Sequence, residues 1–103
     1  GFDIVFSSTV PIGAGLSSSA ALECGFLFGL NHFFNLDLTK EQIAKMGQKA
    51  EHTFAGVNCG IMDQFASVFG KENHVIFLDC VTLDYQYAPA DFGDYTLLLL
   101  TPM

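Results

Sequence analysis

The chain has 103 residues, 4 of them Lys or Arg and 11 Asp or Glu, for a formal charge of −7; half are hydrophobic, with 11 Phe and no Trp. That length allows one domain rather than two, and so much apolar material excludes an intrinsically disordered tail. With Lys40, Lys45, Lys49 and Lys71 as its only bases, the chain is also a poor nucleic-acid partner, because phosphate backbones are bound by clustered cations.

Phe2, Ile4 and Phe6 alternate with Asp3, Val5 and Ser7, a period of two that predicts a strand with one face in the core. Pro11 and the glycines at 13 and 15 break that pattern, and a helix should start at the serines that follow. Leu16, Ala20, Glu23, Leu27, Leu30 and Phe34 share one face of it, with Ala21, Cys24, Gly25 and Phe28 opposite. A helix apolar nearly all round is expected to be buried.

After a short connection at 35–38, Thr39-Lys40-Glu41-Gln42 matches the capping box that satisfies the first free N–H groups of a helix. That second helix should keep Ile43, Met46, Gly47, Ala50 and Phe54 inside, leave Lys45, Gln48 and Lys49 outside, and end at Gly56. A loop at 55–60 precedes a short third helix over 61–69, closed by Gly70, with Ile61, Phe65, Val68 and Phe69 on its apolar side and Asp63 and Gln64 in its first turn. Strands are expected at 75–80, 81–87 and 95–100, two of them central and one half-exposed. One strand, three helices and three strands with short connections imply an α+β fold, a mostly antiparallel sheet with helices packed on one face.

Cys24, Cys59 and Cys80 are odd in number and widely spaced, which suits neither a disulfide framework nor a zinc site, so free thiols in a reducing cytoplasm are expected. The N-terminus lacks the basic region of a signal peptide, and the apolar stretch 20–30 is interrupted by Glu23 and too short to span a bilayer, so no membrane partner is expected. The chain begins with Gly and ends just after an apolar run, as a piece of a longer protein would.

Chemistry concentrates in residues 11–23, where two glycines and three serines meet a helix N-terminus. Free N–H groups and the helix dipole favour an anion there, glycine lets the backbone approach phosphate oxygens, and a hydroxyl can bind phosphate or hydrated magnesium. The same residues also fit a plain strand-to-helix turn with a serine cap. No Lys follows the glycines, so a Walker A loop is excluded, and Ser18 stands where the dinucleotide fingerprint needs its third Gly. Asp63, in a first helical turn, suits a base or an orienter of a hydroxyl, or a charge favoured by the dipole; Glu51, near a helix C-terminus, reads on its own as a solvated charge.

The run 11–23 resembles the second motif of the GHMP kinases (galactokinase, homoserine kinase, mevalonate kinase and phosphomevalonate kinase), whose loop wraps the ATP phosphates. Within that family the runs 48–58, 59–65 and 74–80 resemble the galactokinases, in the same order and spacing. The resemblance implies a partial GHMP kinase N-terminal domain over residues 1–103, of the ribosomal protein S5 domain 2-like fold, with its phosphate loop at 11–23 and its catalytic aspartate motif at 60–64. It implies ATP-dependent phosphorylation of the anomeric hydroxyl of galactose, with ATP and galactose as partners and Mg2+ as cofactor. Phosphate contacts would come from Gly13, Ala14, Gly15, Leu16, Ser17, Ser18, Ser19 and Ala20. Asp63 would be catalytic, Gly60 and Asp63 would touch the sugar, and Glu51 with Ser19 would hold the metal, Ser18 being the next candidate and Ser17 the helix cap. His52 is expected to be structural, Asp79 a hydrogen-bonded structural carboxylate, and Tyr85 and Tyr87 core rather than sugar-stacking.

The family's N-terminal sugar motif, the arginine that partners its aspartate and its C-terminal glycine-rich motif are not in these residues, so the isolated chain is expected to be inactive. Residues 101–103 also depart from the continuation the family would have. A kinase of N-acetylgalactosamine and a sensor that binds galactose and ATP without turnover are the alternatives; the intact Ser19-Ala20 pair favours an enzyme.

Overall fold

The computed structural model describes residues 1–56 and 58–100. Three helices, α1 (Ser18–Phe34), α2 (Lys40–Thr53) and α3 (Met62–Phe69), precede two strands, β1 (His74–Leu78) and β2 (Tyr85–Pro89). The capping box at the start of α2 forms as expected: Gln42 N–H donates to Thr39 Oγ1 at 3.1 Å, and Thr39 N–H donates to Gln42 Oε1 at 2.8 Å. The link from α1 is clamped by Asn31, which accepts from Leu38 N–H at 2.9 Å and donates back to Leu38 O at 3.1 Å.

The three helices pack on one another, and the core at their junction is made of Ala20 and Cys24 from α1, Ile43 and Ala44 from α2, and Ile61 and Phe65 beside or on α3. Small side chains bring α1 and α2 close. A Cβ on Gly47 would stand 2.9 Å from Cys24 Sγ and 3.2 Å from Gln64 Cγ, so glycine is required there for space.

The stripes that face this core differ from those read from periodicity. On α2 the buried residues are Ile43, Ala44, Gly47 and Glu51, whereas Met46 and Phe54 are exposed, Phe54 at 89%. The helix ends at Thr53, with Phe54 as its C-cap, three residues before Gly56. On α1, Leu22, Phe28 and Phe33 are exposed, so the helix is buried along one line and not all round. In both cases apolar periodicity marks several faces, and only the face against a partner helix is buried.

β1 and β2 pair antiparallel, His74 with Pro89 through Leu78 with Tyr85. Phe65 and Phe69 stack at 4.1 Å between ring centroids, Tyr85 meets Phe65 edge-on at 5.3 Å, and Tyr87 O–H donates to Phe69 O at 2.6 Å. The tyrosines therefore dock the hairpin on α3, with part of each ring still exposed. Asp79 lies in the connecting turn, outside either strand; its Oδ1 accepts from Val81 and Thr82 N–H at 2.8 and 3.2 Å, which holds its carboxyl below the usual range.

The expected α+β class holds, but with fewer strands. Residues 2–6 and 95–100 form no strand among the described residues, because no neighbouring segment pairs with their backbone. The period of two survives at the start of the chain: Phe2 and Phe6 both lean on Phe26, at 6.4 and 5.8 Å. The expected strands at 75–80 and 81–87 become a hairpin with a turn across 79–84, and neither is central, since each pairs only with the other. Val57, in the expected loop, and the atypical run 101–103 lie outside the described residues.

Candidate functional site

The loop into α1 turns on three left-handed residues, Gly13 (φ 73), Gly15 (φ 75) and Ser17 (φ 59). At both glycines a Cβ would meet nothing within 4 Å, so the backbone angle and not space requires glycine, and the surface in front of them is open. Ser17 occupies the N-cap position, but its side chain caps nothing, contrary to the role expected of it. The first helical bond runs from Ala21 N–H to Ser17 O at 3.1 Å, so the amides of Ser18, Ser19 and Ala20 have no intrahelical acceptor. They sit at the positive end of a 17-residue helix, Ser19 exposed. A cavity of about 520 Å³ opens beside them, with Ser7, Ser8, Ser18 and Ser19 among its walls. Gly13 and Leu16 are exposed, Ala14 is half-buried and Ala20 is buried, so the loop meets solvent through its backbone and its serines.

Glu51, read from its position as a solvated charge, is 5% exposed. It projects from α2 toward α1, where the carboxyl of Glu23 lies within hydrogen-bonding reach. Burial first, then the hydrogen bond and the charge of Glu51, push the Glu23 carboxyl up to about 7. Glu51 Oε1, Glu23 Oε2 and Gln64 Oε1 are all buried and find no hydrogen-bond donor among the described residues. Magnesium takes oxygen ligands and commonly only one or two carboxylates, so these donor-less oxygens fit the metal that the sequence leads one to expect. Glu23 and Gln64 are the residues that sequence reasoning missed. The available signal was that Glu23 is the sole carboxylate in α1 and stands four residues after Ser19, on the same helical face.

Asp63 lies in the first turn of α3 on its exposed side, with no hydrogen bond or ion pair among the described residues. The loop before it is anchored at one carbonyl. Cys59 O accepts from Gln48 Nε2 at 3.2 Å and from His52 Nε2 at 2.7 Å, which places the proton of that imidazole on Nε2. His52 is thus structural, as expected, and fixes the approach to Gly60, where an added Cβ would meet open space. Cys24 is buried, Cys59 half-buried and Cys80 exposed, all as free thiols. Among the described residues no cluster of three or more His, Cys, Asp or Glu could hold a metal, and no helix is long and apolar enough to cross a membrane.

Residues 1–71 match the family described as the GHMP kinases N terminal domain. The chain is 50% identical over 97 residues to a galactokinase of Thermosipho africanus, covering 94% of this chain and 28% of the relative. It is 49% identical over 100 residues to a galactokinase of Lactobacillus helveticus, covering 97% and 26%. Among solved structures, that of Lactococcus lactis galactokinase complexed with galactose superposes with a TM-score of 0.79 at 44% identity, covering 84% of this chain and 22% of that one. The chain spans about a quarter of the length of these relatives. A glycine-serine loop feeding a helix N-terminus, with a family match over residues 1–71, places this chain among the GHMP kinases.

Proposed function

We propose that this chain is the phosphate-holding and catalytic-aspartate segment of a galactokinase, which transfers the γ-phosphoryl group of ATP to the anomeric hydroxyl of galactose. The observation that carries the reading is the start of α1, where the amides of Ser18, Ser19 and Ala20 have no helical acceptor, the loop before them turns on Gly13 and Gly15, and Ser18 and Ser19 border a cavity of about 520 Å³. Backbone N–H groups and a helix dipole need no lysine, which is how a chain of charge −7 accommodates a polyanion.

In the proposed reaction Asp63 takes the proton of the sugar hydroxyl as that oxygen bonds to the γ-phosphorus; the bond from phosphorus to the bridging oxygen breaks, and ADP leaves. Asp63 carries no competing partner on the described surface, and Gly60 leaves room for a hexose against the main chain. Glu51 and Ser19 would hold Mg2+, which when bound offsets charge on the β- and γ-phosphate oxygens. Free thiols at Cys24, Cys59 and Cys80 suit a reducing compartment such as the cytoplasm. Without the family's sugar motif and arginine, the chain alone is not expected to turn over.

The test replaces the matching segment of the Thermosipho africanus galactokinase with residues of this chain and follows product formation. The expected result is ATP-dependent galactose 1-phosphate at a rate within about tenfold of the parent, with galactose preferred over N-acetylgalactosamine. A folded chimera that binds both substrates without turnover would favour a sensor and overturn the proposal.

A further inference from the structure

We infer that Glu23 is a second carboxylate of the divalent-cation site, facing Glu51 across the contact between α1 and α2. The inference rests on the reading of Glu51 as a metal ligand and adds a residue to which that reading gives no part.

Glu23 sits in a helix otherwise made of small, apolar and amide side chains apart from His32, at a position turned toward another helix. The group it meets there is a second carboxylate, 5% exposed. No lysine offsets the pair: the ion pair found among the described residues joins Lys45 to Glu41 on the outer surface of α2, at 2.8 Å. Even with a proton shared between the two carboxyls, Glu23 Oε2 and Glu51 Oε1 are each left buried without a donor among the described residues. A hard dication between them removes both the repulsion and the missing hydrogen bonds.

The two orphaned oxygens, Glu23 Oε2 and Glu51 Oε1, come from different helices, and Ser19 stands one turn before Glu23 on the same face of α1. Gln64, 2% exposed, adds a third donor-less oxygen within the same three-helix junction. The ligand class is a small, hard divalent ion; a soft metal would ask for thiolate or imidazole.

The test is Mn2+ binding to the 103-residue chain, followed by the loss of the free-ion electron paramagnetic resonance signal, with folding checked by thermal melts in EDTA. The wild-type chain should take up one Mn2+. Glu23→Gln and Glu51→Gln should each weaken that site at least tenfold, and Glu41→Gln on the exposed side of α2 should leave it within twofold. Weakening by Glu51→Gln with unchanged affinity in Glu23→Gln overturns this inference and leaves the role of Glu51 standing. Unchanged affinity in both variants, or no uptake by the wild type, overturns both. If Glu23→Gln does not fold, Glu23→Asp, which keeps the charge but shortens the reach, should weaken binding at least threefold; unchanged affinity there also overturns the inference.

Discussion

Glu51 is buried because it lies one turn beyond Gly47, on the stripe of α2 where small residues let α1 approach. The sequence hid this, since a carboxylate two residues from the end of a helix reads as solvated and the stripe read from apolar spacing ran through Met46 and Phe54. Both of those project where no described element packs, so hydrophobicity alone chose the wrong side. The capping box, by contrast, was fully legible, because its four residues satisfy each other locally and need no tertiary partner. Cys24 shows the same junction at work on a thiol. Burial, reinforced by the charge of Glu23, raises it to about 11, leaving roughly one thiolate in a thousand at pH 8. Iodoacetamide applied to the folded chain at pH 8 should therefore modify exposed Cys80 first and Cys24 only on unfolding. Peptide mass spectrometry of a time course gives the order, and equal rates at the two sites would contradict the burial described.

Among elements, the three helices were found close to their expected bounds because each carries its own start or stop: serines and a glycine loop, a capping box, and Gly70. Strands fared worse. Residues 2–6 and 95–100 have strand-like composition, yet a strand exists only where a second backbone pairs with it, and that partner cannot be read from local periodicity. The contact between α1 and α2 supplies the prediction at this scale. Gly47→Ala gains about 1 kcal/mol of helix propensity but forces a methyl into Cys24 Sγ and Gln64, where overpacking costs about 1–3 kcal/mol. The expected net effect is a loss of up to about 2 kcal/mol in denaturant unfolding, together with displacement of the Gln64 side chain. A stabilised variant would mean that the two helices are further apart than described.

For the whole molecule, accessible surface is the telling quantity. The chain exposes 8237 Å², against about 5,700 Å² expected of a folded monomer of 11.2 kDa, and its buried hydrophobic core comprises six residues among those described. Large apolar side chains on α1, including Leu22, Phe28 and Phe33, are left facing outward. This matches a chain that spans about a quarter of the length of its relatives. The loop at 13–17, Glu51 and Asp63 lie along three successive elements, so their order was legible along the chain, whereas the contact of Glu23 with Glu51 needed the packing of α1 on α2.

The most direct test of the account is Asp63→Asn in the chimeric galactokinase, with ATP binding and galactose phosphorylation measured on the same preparation. Loss of the base should lower kcat by about 10²–10⁴, while ATP affinity stays within about twofold because the loop at 13–20 is untouched. Turnover within a few-fold of the unsubstituted chimera would contradict the role given to Asp63 and, with it, the phosphoryl-transfer reading of this segment.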